Sequence, residues 1–213
     1  MDLDIRLPQS QLSSLQSVYQ LAKTCQFDEP HTRQVVSLAL MLFDGTHELH
    51  QLGEEERFTL LCSGLLHDIG WIDGWKKHHK GSLRIILSAP LLRISQAERL
   101  IIGNVARYHR GALPSTRHDH YATLEPAQKG LVDKLGGLLR LADGLDNSHQ
   151  QRICQIGIEI SKKKVTLTCQ VNEPLIEELD VLPDKASLFE LSFKRKVVIK
   201  QVSAAGCHSH PLS

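Results

Sequence analysis

The stretch PAQKGLVDKLGGLLRLADGLDNSH, residues 126–149, decides the fold. In it Leu131, Leu135, Leu138, Ala142 and Leu145 recur at steps of four and three, which gathers them into one apolar stripe on a helix. A long helix packed into a core is therefore predicted over residues 126–149. Asp143 stands beside that stripe. A carboxylate there is costly to bury unless it is paired or bound to a cation. An ion pair with Arg140 or Lys134 on the same helix would satisfy it, and so would a metal.

Working outward toward the N-terminus, the same helical spacing repeats. Leu12, Leu15, Val18 and Leu21 predict a helix from Gln9. Asp28-Glu29-Pro30 predicts the start of a second, because proline lacks only an N–H that would be unpaired in a first turn anyway. It continues through Val35, Leu38, Leu42 and Phe43. Glu54-Glu55-Glu56 suits the N-terminus of a third, which runs through Phe58, Leu61 and Leu65 toward Gly70. A loop, GWIDGWKK, a short helix from about His79 to Ser88, another from Ser95 to Tyr108, and a polar loop from Gly111 to His120 lead back to the long helix.

Toward the C-terminus the period changes from helical to alternating. Ile153, Ile156, Ile158 and Ile160, then Val165, Leu167, Cys169 and Val171, read as two strands, with Ser161-Lys-Lys-Lys as their hairpin turn. A helical stretch from about Pro174 to Ser192 and a strand from Lys196 to Val202 complete a ββαβ unit. The expected architecture is mainly α: a helical bundle over 1–150, a small α+β unit over 151–202, and a disordered tail over 203–213.

The chain has 213 residues, enough to bury a substantial core, and a formal net charge of +1. A general nucleic-acid binder would carry a strong basic excess, so no specific nucleic-acid partner is expected and any anion recognition must be local. Five cysteines, at 25, 62, 154, 169 and 207, show no C-x-x-C spacing, a pattern that suits reduced thiols. The start, MDLDIRLPQS, has no basic segment followed by an apolar run, and no apolar stretch approaches the length of a membrane span. A cytoplasmic protein without a membrane partner is expected.

Twelve histidines are many for this length. Four positions on three predicted helices attract attention: His31 in a first turn, the pair His67-Asp68 at a helix end, and Asp143. Imidazole and carboxylate are suitable ligands for a divalent first-row metal. Adjacent ligands are workable where a helix ends, and Gly70 offers backbone freedom there. Taken singly, a lone histidine or a His-Asp pair is as readily structural as metal-binding.

The ordered motifs H-x-x-x-V at 31–35, LLHDIG at 65–70 and LADGLD at 141–146 resemble those of the HD superfamily of metal-dependent phosphohydrolases. HHKGS at 78–82, ARYHR at 106–110 and RLADGLDNSHQQR at 140–152 narrow the resemblance to the C-terminal region of the exopolyphosphatase/guanosine pentaphosphatase family, over about residues 31–199. The resemblance implies an HD-domain helical bundle with one or two divalent ions (Mn, Mg, Fe or Zn) on His31, His67, Asp68 and Asp143. His78, with the small Ser82 four positions on, and His109 would hold the second ion, with His79 as the substitute for His78. Asp68 would bridge the two ions. Lys80 and Arg110 would contact phosphate, with Arg107 and Arg140 as further cations near the ligands. The substrate implied is a phosphorylated small molecule: a nucleotide, a guanosine polyphosphate or inorganic polyphosphate. A homodimer is implied as well. In that family the catalytic region is an N-terminal actin-like domain pair, whose Gly-rich phosphate loops this sequence lacks. The competing expectation is thus a non-catalytic accessory module that binds a phosphorylated ligand or docks on an actin-like exopolyphosphatase chain.

Overall fold

The computed structural model describes residues 8–74 and 76–204. Its helices are α1 (Gln9–Thr24), α2 (Glu29–Gly45), α3 (His47–His50), α4 (Glu54–Leu66), α5 (His78–Ser88), α6 (Gln96–Arg107), α7 (Asp119–Ala122), α8 (Pro126–Gly144), α9 (Ile176–Lys185) and α10 (Ser187–Phe193). Its strands are β1 (Ile153–Ile160), β2 (Lys164–Val171) and β3 (Lys196–Ser203). The fold is mainly α, as the sequence predicts. No helix among the described residues is long and apolar enough to cross a membrane. From residue 205 on, the tail expected to be disordered lies outside the described residues, and so does Cys207.

α8 is the axis of the molecule. From Leu135 to Gly144 every residue is buried, because α2, α4, α6, α9 and α10 all pack on it. Each fully buried leucine on such a helix stabilises the fold by roughly 2 kcal/mol. The paired glycines make one of these approaches feasible. A Cβ on Gly137 would lie 2.9 Å from the Cα and N of Phe189, so α10 rests directly on the α8 backbone. α8 stops at Gly144, five residues short of the predicted end. Asp146 explains this: its Oδ1 accepts the N–H of Gln151 at 2.8 Å, and His149 and Gln151 adopt left-handed conformations. That local turn competes with continued helix.

Helix starts follow their sequence signals. The Asp28 carboxylate accepts the N–H of His31 at 3.2 Å, capping α2 with Pro30 in its first turn. Gly53 N–H donates to Glu56 at 2.8 Å ahead of α4. Ser95 and Glu98 form a reciprocal capping box at α6.

β1 and β2 form the predicted antiparallel hairpin, and β3 adds to β2 in parallel, giving the order β1-β2-β3. The parallel pairing requires a crossover. α9 and α10 supply it, so the single predicted helical stretch over 174–192 is two helices meeting at Ala186. Val165, Leu167 and Cys169 on the central strand share one core cluster with Val35 of α2, Leu138 of α8 and Phe189 of α10.

Candidate metal centre

Five elements converge beside the C-terminal half of α8. His31 comes from the first turn of α2, His67 and Asp68 from the end of α4, and Asp143 from α8. His78 opens α5 and His109 follows α6 by two residues. These six side chains form two groups whose potential ligand atoms lie within 4.8 Å of one another: His31, His67 and Asp143, and Asp68, His78 and His109.

Asp68 faces both groups with different oxygens. Its Oδ2 lies 3.9 Å from His31 Nε2 and 3.5 Å from His67 Nε2. Its Oδ1 lies 3.0 Å from His78 Nε2 and 3.4 Å from His109 Nε2. Asp143 Oδ1 completes the first group at 3.4 Å from His31 and 3.7 Å from His67.

The opposite ring nitrogens are engaged. His31 Nδ1 lies 2.8 Å from Asp146 Oδ2, His67 Nδ1 donates to Gly64 O at 2.7 Å, and His109 Nδ1 donates to Ala106 O at 2.6 Å. Such partners fix the ring orientation and leave Nε2 as the ligand nitrogen. His31 Nε2 and His67 Nε2 are buried, and no hydrogen-bond partner meets them. Orphaned buried atoms are costly, and here they face a common space. The donor chemistry and the orphaned atoms both fit a divalent cation.

The electrostatics agree. Burial alone would lower the pKa of His31, yet the carboxylates of Asp143, Asp146 and Asp68 hold it up at about 10. Burial would raise the Asp68 pKa, but His67 and His78 keep it far below the carboxylate range. Burial keeps His109 well below the usual imidazole value, hence neutral, the form that ligates. Burial also opposes ionisation of Asp143, while the Lys185 ammonium and His31 favour it.

Backbone close approach builds the second group. A Cβ on Gly70 would sit 2.0 Å from His78 O and 2.4 Å from Ser82 N, so the 3₁₀ turn over Ile69–Asp73 presses against α5. Gly70 is needed for that contact and not for the backbone freedom the sequence suggests, since it is absent from the positive-φ glycines. Ser82 Oγ accepts the Gly70 N–H at 3.0 Å and donates to His67 O at 2.6 Å. The small residue after His78 thus ties α5 to the His67-Asp68 turn.

A cleft of about 690 Å³ opens over Asp68, His78, His109 and Asp143, walled by Trp71, Arg110, His149 and the α9 residues Asp180, Asp184 and Lys185. Arg110 reaches this cleft; Lys80 does not. Two positions beyond His78 on α5, it points away and lines a different cavity. His79 also stays out of the cluster, its pKa pushed down to about 4 by burial and by His78, Arg110, Lys80 and Arg107.

Arg140 is not a cation of the cleft. It is buried and bonds Asp184 Oδ2 at 2.8 Å and Gly111 O at 2.9 Å, joining α8 to α9 and to the loop after His109. Nor do Arg140 or Lys134 pair with Asp143: its partner is Lys185, at the end of α9.

Asp146 stands in the LADGLD motif three positions beyond Asp143, and no local pattern marks it as the partner of His31. In the sequence His149 marks only the end of the predicted helix. It stacks on His31 with centroids 3.7 Å apart, its Nδ1 2.9 Å from Asp28. Lys185 had no signal at all: it is 42 residues from Asp143 and reaches it only through the crossover.

This site sits on a chain whose residues 15–186 match the family model Ppx/GppA phosphatase, domain III. The chain belongs to that family. Among curated proteins it resembles the guanosine-5'-triphosphate,3'-diphosphate pyrophosphatase of Vibrio vulnificus (strain YJ016), with 27% identity over 170 residues, 77% of this chain and 32% of that protein. The protein of the same name from Pseudoalteromonas translucida (strain TAC 125) is 26% identical over 186 residues, 87% of this chain and 30% of that protein. The chain spans about a third of the length of these curated relatives. The matched residues 15–186 include all six side chains of the two groups.

Proposed function

We propose that the chain is a divalent-metal phosphohydrolase domain of the HD type that acts on a phosphorylated small molecule: a nucleotide, a guanosine polyphosphate or inorganic polyphosphate. The observation that carries this reading is the Asp68 carboxylate, which turns one oxygen to each of two histidine groups while His31 and His67 aim unpartnered nitrogens at the same space.

In this reading His31, His67 and Asp143 would hold one ion and His78 and His109 a second, with the Asp68 carboxylate facing both groups. Two imidazoles beside a carboxylate favour Mn, Fe or Zn over Mg, which prefers oxygen ligands. When bound, the ions supply polarisation of a phosphoryl oxygen and a water of lowered pKa. The protein's own part is placement and charge. Arg110, at the cleft wall, attracts the phosphoryl oxygens, and Trp71 and the α9 wall limit water around them. Asp146 keeps the His31 ring aimed at the centre.

The contrasting reading is an accessory module that binds a phosphorylated ligand or docks on a separate phosphatase chain. One observation favours it: the Lys185 ammonium already neutralises Asp143. Elemental analysis of the purified chain beside its Asp68→Ala variant separates the two. One or two divalent ions per chain, lost in the variant together with metal-dependent release of phosphate from nucleotides or polyphosphate, is the expected result. A chain that takes up no Mn, Fe, Zn or Mg on reconstitution would overturn the hydrolase reading.

A further inference from the structure

A second cavity, of about 360 Å³, lies on the far face of α5. Lys80, Arg84, Arg107 and Arg117 line it together with Leu83, His118, Asp119 and His120. Four permanent cations thus meet one carboxylate in a protein whose formal net charge is only +1. Three elements deliver them. Lys80 and Arg84 stand one helical turn apart on α5, Arg107 ends α6, and Arg117 comes from the loop before α7.

Arg33, Arg57, Arg140 and Arg152 each hold a carboxylate, and in the cavity Arg84 is paired with Asp73. Among the described residues, Lys80, Arg107 and Arg117 make no ion pair. Arg107 lies over the Tyr108 ring, 5.4 Å from its centroid, which orients the guanidinium and leaves its charge uncompensated. The loop is pinned in place: Tyr108 Oη lies 2.8 Å from His118 Nδ1, and Ser115 Oγ accepts the Arg117 N–H at 3.2 Å. Like charges held together repel, and a preformed concave site in which one sign predominates concentrates counter-ions. The same field shows on His118, whose pKa is lowered by burial and by Arg107 and Lys80, against the opposing Asp119.

We propose that this cavity is an anion site for a small ligand carrying two or more phosphate groups, distinct from the His/Asp centre and filled without metal. Arg107 and Arg117 present planar forks suited to phosphate oxygens, and Lys80 adds a point charge. The cavity is of a size that takes a small molecule and is too small for a folded partner. Because the metal ligands lie on the other face of α5, the proposal stands or falls independently of the hydrolase reading.

The test is calorimetric titration of the full chain with inorganic pyrophosphate in the presence of a chelator, at low and at moderate salt. Saturable binding that weakens as salt rises is expected. Lys80→Ala with Arg117→Ala should weaken it at least about tenfold, since two charge-assisted contacts are lost. Arg93→Ala, which removes an exposed cation elsewhere, should leave it unchanged. Both altered side chains are exposed, so the fold should survive. As a check needing no variant, amide resonances of residues 80, 107, 117 and 118 should shift on addition of pyrophosphate. Absence of binding at low salt, equal affinity in the double variant, or shifts confined to the His/Asp centre would each overturn the proposal.

Discussion

The two groups that share Asp68 are built in different ways. His31 and Asp143 lie within helices α2 and α8, and His67 directly follows α4; these three helices pack on one another in the core. Asp68, His78 and His109 come from the residues just outside or at the edges of helices, and their positions depend on how the 3₁₀ turn meets α5 and how the loop after α6 is tied down. The first group therefore forms whenever the bundle forms. The second depends on local backbone paths and can be lost while the bundle stays folded.

Ligand removal should break this symmetry most visibly. His31→Ala should abolish binding at the first group, and His109→Ala should abolish it at the second while leaving the first occupied. Metal stoichiometry by elemental analysis, with thermal unfolding as a control, checks both. Equal loss of both ions in His109→Ala would mean that the two groups act as one site and that the contrast fails.

Next in size is Asp146→Asn. It keeps a hydrogen-bond acceptor near His31 Nδ1 but removes the charge. Loss of such a supporting partner typically costs about 10–100-fold in metal affinity. The loss should fall on the first group alone, as competition with a chelator of known affinity would show.

Arg140→Met probes the second group from a distance. Arg140 holds Gly111 O and Tyr108 O on either side of His109, besides Asp184. Breaking a fully buried pair costs about 3–5 kcal/mol. Here Asp184 is 70% exposed and can return to water, so a cost of about 2 kcal/mol in denaturant unfolding is expected. If the second group hangs on this tether, its metal affinity should fall and that of the first group should not.

The same division explains what was legible in the sequence. Helical periodicity reports which residues enter the core, so α1, α2, α4, α6 and α8 were readable, and with them the placement of His31 and Asp143. The pairing of β1 with β2 was readable from alternation. Interactions between distant segments leave no local pattern. Lys185 on Asp143, Arg140 on Asp184 and His149 on His31 each depend on tertiary paths that neighbouring residues do not encode. Lys80 marks the opposite error. Closeness in sequence to His78 suggested a shared site, but two residues along a helix is about 200° of rotation, which sends the side chain to the other face.

The smallest effect is also the most specific in its pH dependence. Asp28 caps α2 and lies 2.9 Å from His149, so it supports both the backbone and the stacking partner of His31. Partial burial works against its ionisation, but the contacts with His149 and the His31 N–H prevail and hold its pKa below the ordinary 3.8. A carboxylate whose pKa is depressed by folding contributes stability above its unfolded value and loses it as pH falls through the folded one. Asp28→Ala should therefore cost about 1 kcal/mol near neutral pH, the usual worth of an N-cap. Parallel unfolding of the two proteins should show the difference shrinking below about pH 4, as the wild-type carboxylate takes up its proton. Because the cap acts on the core-built first group, metal affinity there should drop only slightly. A large drop would mean that the α2 terminus, and not the packed helices, sets the geometry of His31, and the contrast between the two groups would then be one of degree.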